Sequence, residues 1–215
     1  MFSKRICEIA KLIKPYKMIA DVGCDHGYLI IESFLNSDVS KAIAIDNKIG
    51  PLNSAKKNLE KYNFNVRFSL SSGVSDIDDD TEVVVISGMG GLLISKIISD
   101  DLTNNKKLYN VKRLILQANR NNFELRKFLM ENNYQIIDEK IIYEDDKYYE
   151  IIVCERVNEK IIYAFEELYF GPILLKRKDD IFISRINSEL LKLKKLNSDS
   201  LEVKEKIDRL EKIIC

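Results

Sequence analysis

A short apolar run, Met18–Val22, breaks at Gly23-Cys24-Asp25-His26-Gly27, and a helical pattern starts at Tyr28. Buried strand, glycine turn and helix make the first half of a βαβ unit. That unit commits a chain to a parallel sheet covered by helices on both faces. The helix N-terminus then offers free N–H groups just past the strand end, and glycine lets a ligand approach the backbone closely. Asp46 lies 25 residues after Asp21 and closes a second apolar run, Lys41–Ile45. A carboxylate at that place can accept from both hydroxyls of a ribose.

The rest of the chain keeps this alternation. Ile6, Ala10 and Ile13 predict an amphipathic helix over 3–14, ended by Pro15. Helices are also predicted from Tyr28 to about Leu35, over Ser54–Tyr62, over Leu92–Ile98 and over Phe123–Met130. Strands are predicted at Lys41–Ile45, Val66–Leu70, Thr81–Ser87 and Arg113–Gln117. Tyr134–Tyr143 and Tyr148–Arg156 predict a hairpin across Glu144-Asp145-Asp146-Lys147. After about Asn158 the pattern changes. Ile183, Ile186, Leu190 and Leu193, then Val203, Ile207, Leu210 and Ile214, predict two helices folded into an antiparallel coiled-coil hairpin. Asn197-Ser198-Asp199-Ser200 is the expected turn between them. The expected organisation is a Rossmann-like α/β domain over 1–157 and a helical domain over 158–215.

The turn chemistry selects among nucleotide ligands. Asp25 stands where a pyrophosphate-binding loop carries its second glycine, and an acid there repels a diphosphate. It suits a ligand bearing an amine and a sulfonium, so S-adenosylmethionine is favoured over NAD. Ser87-Gly88-Met89-Gly90-Gly91 follows the fourth strand and leaves backbone open to a flat base. Gln117 and Asn119 follow the fifth strand, and their amides can both donate to and accept from a base edge. His26 can contact substrate or cap the helix. Tyr28 can stack on a base or join the core.

The 34 basic and 34 acidic side chains cancel, but they are segregated along the chain. Basic blocks around Lys4–Lys17 and Lys176–Lys195 can supply a phosphate-binding face. No apolar run approaches the ~18 residues of a membrane span. The N-terminal stretch lacks the apolar segment of a signal peptide, so a cytoplasmic location is expected. Cys7, Cys24, Cys154 and Cys215, with the single histidine, show no metal-ligand spacing, so neither a metal nor a disulfide framework is expected. No obligate protein partner is evident.

Together these motifs resemble the bacterial tRNA (adenine-N1)-methyltransferases that act on adenine 22. The resemblance rests on Asp21-Val22-Gly23-Cys24-Asp25-His26-Gly27-Tyr28-Leu29, Gly50-Pro51, Ser87-Gly88-Met89-Gly90-Gly91, Leu114-Ile115-Leu116-Gln117-Ala118-Asn119, Lys147-Tyr148-Tyr149-Glu150 and Phe170-Gly171-Pro172. It implies a class I methyltransferase sheet with a C-terminal coiled coil, S-adenosyl-L-methionine as donor (S-adenosyl-L-homocysteine as product) and tRNA as substrate. On that reading Asp21, Gly23, Cys24, Gly27, Asp46, Asn47, Ser72, Gly73, Ser87 and Gly88 bind the cofactor. Asp25, His26 and Tyr28 are the catalytic candidates. Met89, Gly90, Gly91, Gln117, Asn119, Arg5, Lys176 and Arg177 meet the RNA. Two positions depart from the family pattern: Ser72 stands where an acid is common, and Ala118 where a proline is. A methyltransferase for another RNA site or a small molecule, and a non-catalytic RNA-binding protein with a retained donor pocket, are the alternatives.

Overall fold

Alternating burial along the strands builds the core. The computed structural model describes residues 2–196 and 200–214; Asn197, Ser198 and Asp199 of the expected turn, and Cys215, lie outside the described residues. Seven strands form one sheet: β1 (Met18–Val22), β2 (Lys41–Asp46), β3 (Val66–Leu70), β4 (Val83–Met89), β5 (Arg113–Ala118), β6 (Tyr134–Glu144) and β7 (Lys147–Arg156), in the order β3-β2-β1-β4-β5-β7-β6. Only β7 runs against its neighbours. Successive side chains point to opposite faces. Ala20, Ile43, Val84 and Leu116 therefore pack on one face, while Ile19, Ala44, Val85 and Ile115 pack on the other.

The helices follow the expected pattern with shifted ends. They are α1 (Lys4–Ile13), α2 (Tyr28–Asn36), α3 (Ile49–Leu59), α4 (Gly91–Asn104) and α5 (Asn122–Glu131). α3 starts five residues before the predicted Ser54, because Pro51 sits in its first turn, where no N–H is required. β4 runs past the predicted break to Met89, with a bulge at Gly88, whose φ of +78° suits glycine. The β6–β7 turn has just two central residues, Asp145 and Asp146, both with positive φ. That is the hairpin geometry whose twist matches the strands.

The C-terminal part contains α6 (Phe165–Phe170), α7 (Pro172–Arg177), α8 (Asp180–Lys195) and α9 (Leu201–Ile214). The first two were not expected from periodicity, being six residues each. α8 and α9 pack together as predicted, but their buried set differs. Phe182, Ile186, Leu210 and Ile213 are buried, whereas Ile214 is exposed. These residues share a cluster with Ile141 of β6, Phe170 and Leu174. The apolar stripe is turned toward the sheet edge as well as toward the neighbouring helix.

A buried ion cluster fastens the two parts. The fully buried Arg126 of α5 places Nε 2.8 Å from Glu139 and Nη2 2.5 Å from Glu150. Its Nη1 donates to the carbonyl of Leu168 at 3.3 Å. Arg185 of α8 reaches the other oxygen of Glu150 at 2.5 Å, and Glu139 accepts from the backbone of Ile173 at 2.9 Å. Gly171, at φ +94°, passes so close that a Cβ there would sit 2.5 Å from a Glu139 oxygen. Removing Arg126 leaves Glu139 buried without a counter-charge and Glu150 with Arg185 alone. Arg126→Met is expected to cost about 3–5 kcal/mol and lower Tm by roughly 10 °C for a chain of this size, read by thermal denaturation. Arg185→Gln is expected to cost less, since Arg185 keeps 19% exposure. A change below about 2 °C for Arg126→Met would show that the cluster contributes little.

Candidate active site

The strand order reverses direction between β1 and β4, and ligands of open α/β sheets bind at such a point, beyond the carboxyl ends of the strands. The first turn is drawn over the end of β2, because Gly23 and Cys24 both donate to the carbonyl of Ile45, at 2.8 and 3.0 Å. Met89, at the end of β4, closes over Gly23: a Cβ on Gly23 would sit 2.4 Å from its Cε. The β1 and β4 loops thus meet above the sheet.

Three clefts lie along this rim and run into one another. The first, of about 600 Å³, is lined by Asp46, Asn47, Ser72 and Gly73, with Gly23, Asp25 and Met89 at its boundary with the second. The second, of about 400 Å³, adds Asp21, Cys24, His26, Tyr28, Ser87 and Gly88. Arg5 and Asn119 border both the second and the third, which is about 560 Å³.

The acids dominate the first two clefts. Asp46 is fixed by its own loop: Lys48 N–H donates to Oδ1 at 2.9 Å and Asp25 N–H to Oδ2 at 3.4 Å. Asp21 is 3% exposed, and its carboxylate has no hydrogen-bond donor among the described residues. Burial, then the charges of Asp46 and Asp25, push its pKa up to about 7. Such a carboxylate lacks a cation. Asp25 holds a left-handed conformation, φ +45°, and stays largely exposed. His26 Nε2 lies 3.6 Å from Asp25 Oδ2. The His26 ring lies nearly parallel to that of Tyr28, with centroids 5.4 Å apart, and Phe2 flanks Tyr28 at 5.4 Å. Burial raises the Cys24 thiol pKa, so Cys24 is a neutral wall residue and no nucleophile.

Several expected contacts fall elsewhere. Gln117 is fully buried and lines none of the three clefts. Its carbonyl oxygen accepts from Gly88 N–H at 3.1 Å and Arg5 Nη1 at 3.2 Å, and its Nε2 donates to Asn119 Oδ1 at 3.1 Å. It ties the two loops and α1 together beneath the cleft. Asn119, held further by Nδ2 donating to the Gly88 carbonyl at 2.8 Å, does reach the cleft. Gly90 and Gly91 do not line it. Gly91 donates to the Arg120 carbonyl at 2.9 Å, where α4 crosses too close to that loop for a side chain. Gly27 caps α2 at φ +70°. Lys176 is exposed outside the clefts, and Arg177 is committed to Asp138 and the Glu139 carbonyl, at 2.6 and 2.7 Å, mid-strand on β6. Lys48, Leu93 and Lys96 line the first cleft without a motif to signal them, and Pro51, signalled only by the family resemblance, lines it too.

Comparison with known proteins follows the same lines. The family model for tRNA (adenine(22)-N(1))-methyltransferase, TrmK, matches residues 19–214. The chain belongs to this family. A tRNA (adenine(22)-N(1))-methyltransferase of Bacillus subtilis is 35% identical over 195 residues, covering 87% of this chain and 81% of the relative. Among solved structures, Streptococcus pneumoniae Sp1610 in complex with S-adenosyl-L-methionine superimposes with a TM-score of 0.91 at 32% identity, over 100% of both chains. Mycoplasma capricolum TrmK with S-adenosyl-homocysteine gives 0.84 at 30% identity, over 100% of this chain and 98% of that one. The reaction of the family is methyl transfer from S-adenosyl-L-methionine to N1 of adenine 22 in tRNA.

The acid-rich clefts fit a donor carrying an ammonium and a sulfonium. Since Asp21 titrates near 7, affinity for S-adenosyl-L-methionine is expected to rise as pH increases from 6 to 8, and Asp21→Asn should flatten that part of the profile in calorimetric titration. The same group affects folding. Its folded pKa lies above the unfolded value, so the unliganded protein loses stability as pH climbs from about 4 through 7. Asp21→Asn is therefore expected to stabilise the unliganded protein at pH 8 by up to about 4 kcal/mol while weakening donor binding. Equal stability of the two proteins at pH 8 would refute the buried, partnerless carboxylate.

Proposed function

We propose that the three joined clefts divide the reaction among them: donor nucleoside in the first, donor methionine and target adenine in the second, flanking RNA in the third. The observation that carries this division is the change of lining along the rim. The first cleft has carboxylates and, among the described residues, no aromatic ring; the second adds the half-exposed rings of His26 and Tyr28 to Asp21 and Asp25, and the third brings cations and tyrosines. Asp46 is placed to accept from ribose hydroxyls, with Asn47, Ser72 and Gly73 around the donor base, while Asp21, Gly23 and Cys24 border its methionine part. When bound, S-adenosyl-L-methionine supplies an electrophilic methyl group on a cationic sulfur.

The protein's own task is alignment and charge balance. Adenine N1 carries an in-plane lone pair and is unprotonated at neutral pH, so no general base is needed. Holding reactants in near-attack geometry contributes ~7–11 kcal/mol. Tyr28, backed by His26 and Phe2, offers a ring on which the adenine can stack, and Asn119 is fixed by Gln117 and Gly88 so that its amide faces the cleft in one orientation. Asp25 stands at the junction of the donor and adenine clefts. Its carboxylate balances the positive charge that ends on the methylated base. N1 lies on the pairing edge, so the nucleotide has to be unpaired and turned into the cleft.

The same reading assigns chemistry to residues 1–157 and RNA contact to the helical part over 158–215 together with α1. It places the protein in the cytoplasm, acting without a metal or an obligate protein partner. Among the described residues no three potential ligands are grouped to hold a metal, and no helix is long and apolar enough to cross a membrane.

Treating unmodified tRNA with protein and labelled donor, then mapping the modified nucleotide, tests the reaction: methyl on N1 of adenine 22 is expected. Asp25→Asn keeps the left-handed turn accessible and removes the charge. It is expected to lower kcat about 10²-fold with tRNA affinity retained, and undiminished turnover would refute the role of Asp25.

A further inference from the structure

The third cleft has a composition that neither donor nor adenine needs. It is roofed by three separate stretches of chain: the start of α1 with Arg5, the β6–β7 hairpin with Lys147, Tyr148 and Tyr149, and α8 with Lys192. Arg5, Lys147 and Lys192 form no ion pair among the described residues. The acid present, Asp146, accepts instead from the hydroxyl of Tyr143 at 2.9 Å. Glu144 is spent on the N-terminus of α1, accepting from Lys4 N–H at 2.6 Å and Arg5 N–H at 3.4 Å. Three cations therefore converge on one cavity that holds a single acid, and none of the three is ion-paired to it among the described residues.

Arg5 is also pre-oriented. Its guanidinium lies over the Tyr149 ring, 5.0 Å from the centroid, while Nη1 donates to Gln117. A guanidinium held over a ring and by one hydrogen bond keeps its remaining N–H groups for a planar or tetrahedral anion. The hairpin and α8 are held in register by the hydroxyl of Tyr148, which lies 2.9 Å from that of Ser184. The cleft is thus a built feature in which both parts of the chain take part, and it opens on the adenine cleft through Arg5 and Asn119.

We propose that this third cleft is a phosphodiester subsite, in which Arg5, Lys147 and Lys192 take the RNA backbone phosphate adjoining the target nucleotide. The inference rests on the functional reading above, because it takes the neighbouring cleft to hold the adenine. Gripping the adjoining phosphate fixes the backbone at the point about which the nucleotide turns out of its stack. It also explains how α8 can act on a reaction centred at β1 and β4: Lys192 is brought to the rim by the Arg185–Glu150 pair two helical turns earlier.

The test uses the full chain and measures tRNA affinity directly, so its result does not depend on turnover. Lys147→Gln/Lys192→Gln changes two exposed side chains and is expected to weaken tRNA binding about 10-fold. It should also lower the slope of log affinity against log salt by about 1, as for one lost phosphate contact. Donor affinity should not change. Lys57→Gln/Lys61→Gln removes the same charge from exposed positions near α3 and is expected to leave binding and slope as they are. A tRNA carrying one neutral methylphosphonate linkage, placed 5′ or 3′ of adenine 22, locates the contact. At one of the two positions it should weaken the unmodified protein and add little further loss in the lysine variant. A wild-type slope in the lysine variant, or equal losses in both proteins at both linkages, overturns the subsite. Mapping the methylated nucleotide separately tests the reaction assignment.

Discussion

Arg126 is a full positive charge with no exposure, and it is tolerable only because Glu139 and Glu150 face it on adjacent strands. Burial alone would depress its pKa, yet the two carboxylates outweigh that and raise it. The pairing decides much of the remaining architecture. Glu139 also receives the first N–H groups of α7, and Glu150 also receives Arg185 of α8. One guanidinium thereby sets where the helical part sits on the sheet. Burial raises Glu150, but Arg185 and Arg126 more than offset it and hold its pKa below the usual carboxylate range. Taking residues 158–215 away would strip this cluster of Arg185 and uncover the apolar face at Ile141. The two parts of the chain are therefore one folding problem.

The rim of the sheet uses the opposite strategy. Asp21 is buried with no donor, beside two further acids. That arrangement is unfavourable for the fold by itself and is relieved by a cationic ligand. Stability given up at the end of β1 reappears as preference for a sulfonium nucleoside over a diphosphate. A short step along the rim, the balance of charge reverses, and Arg5, Lys147 and Lys192 outnumber Asp146, the one acid of their cavity among the described residues, which is ion-paired to none of them. The two patches of unbalanced charge point to the two reactants, a cation and a polyanion.

Much of this was legible in the residues. The apolar runs ending at Val22, Ile45, Ser87 and Gln117 gave the parallel strands, since a strand buried on both faces needs continuous apolar residues. The turn from Gly23 to Gly27 and the acid at Asp46 marked the clefts at the rim of the sheet, because Gly23, Cys24, Asp25, His26 and Asp46 line them. The hairpin was visible from alternation across Asp145 and Asp146. Less was legible where a role depended on burial. Gln117 and Asn119 read alike as polar loop residues, yet one lies beneath the cleft and the other in it. Gly91 read as open backbone for a base and proved to be a close crossing of α4 over Arg120. Arg177 read as an RNA contact and is held by Asp138. Lys147 and Lys192, 45 positions apart in the chain, gave no local sign of sharing a cavity.

The sequence by itself determined the strand–turn–helix order and the chemical class of the donor, and its motifs carried the resemblance to the family. The element order and the donor class follow from local rules: side-chain periodicity, glycine at positive φ, and an acid where a phosphate would be repelled. Tertiary structure decided which polar residues face solvent, which face each other and which face a ligand. Those outcomes depend on the burial of each group and on the charges that distant strands and helices bring beside it. No short window of sequence contains that information, because the field at Glu150 or in the third cleft is the sum over elements that meet only when the chain has folded.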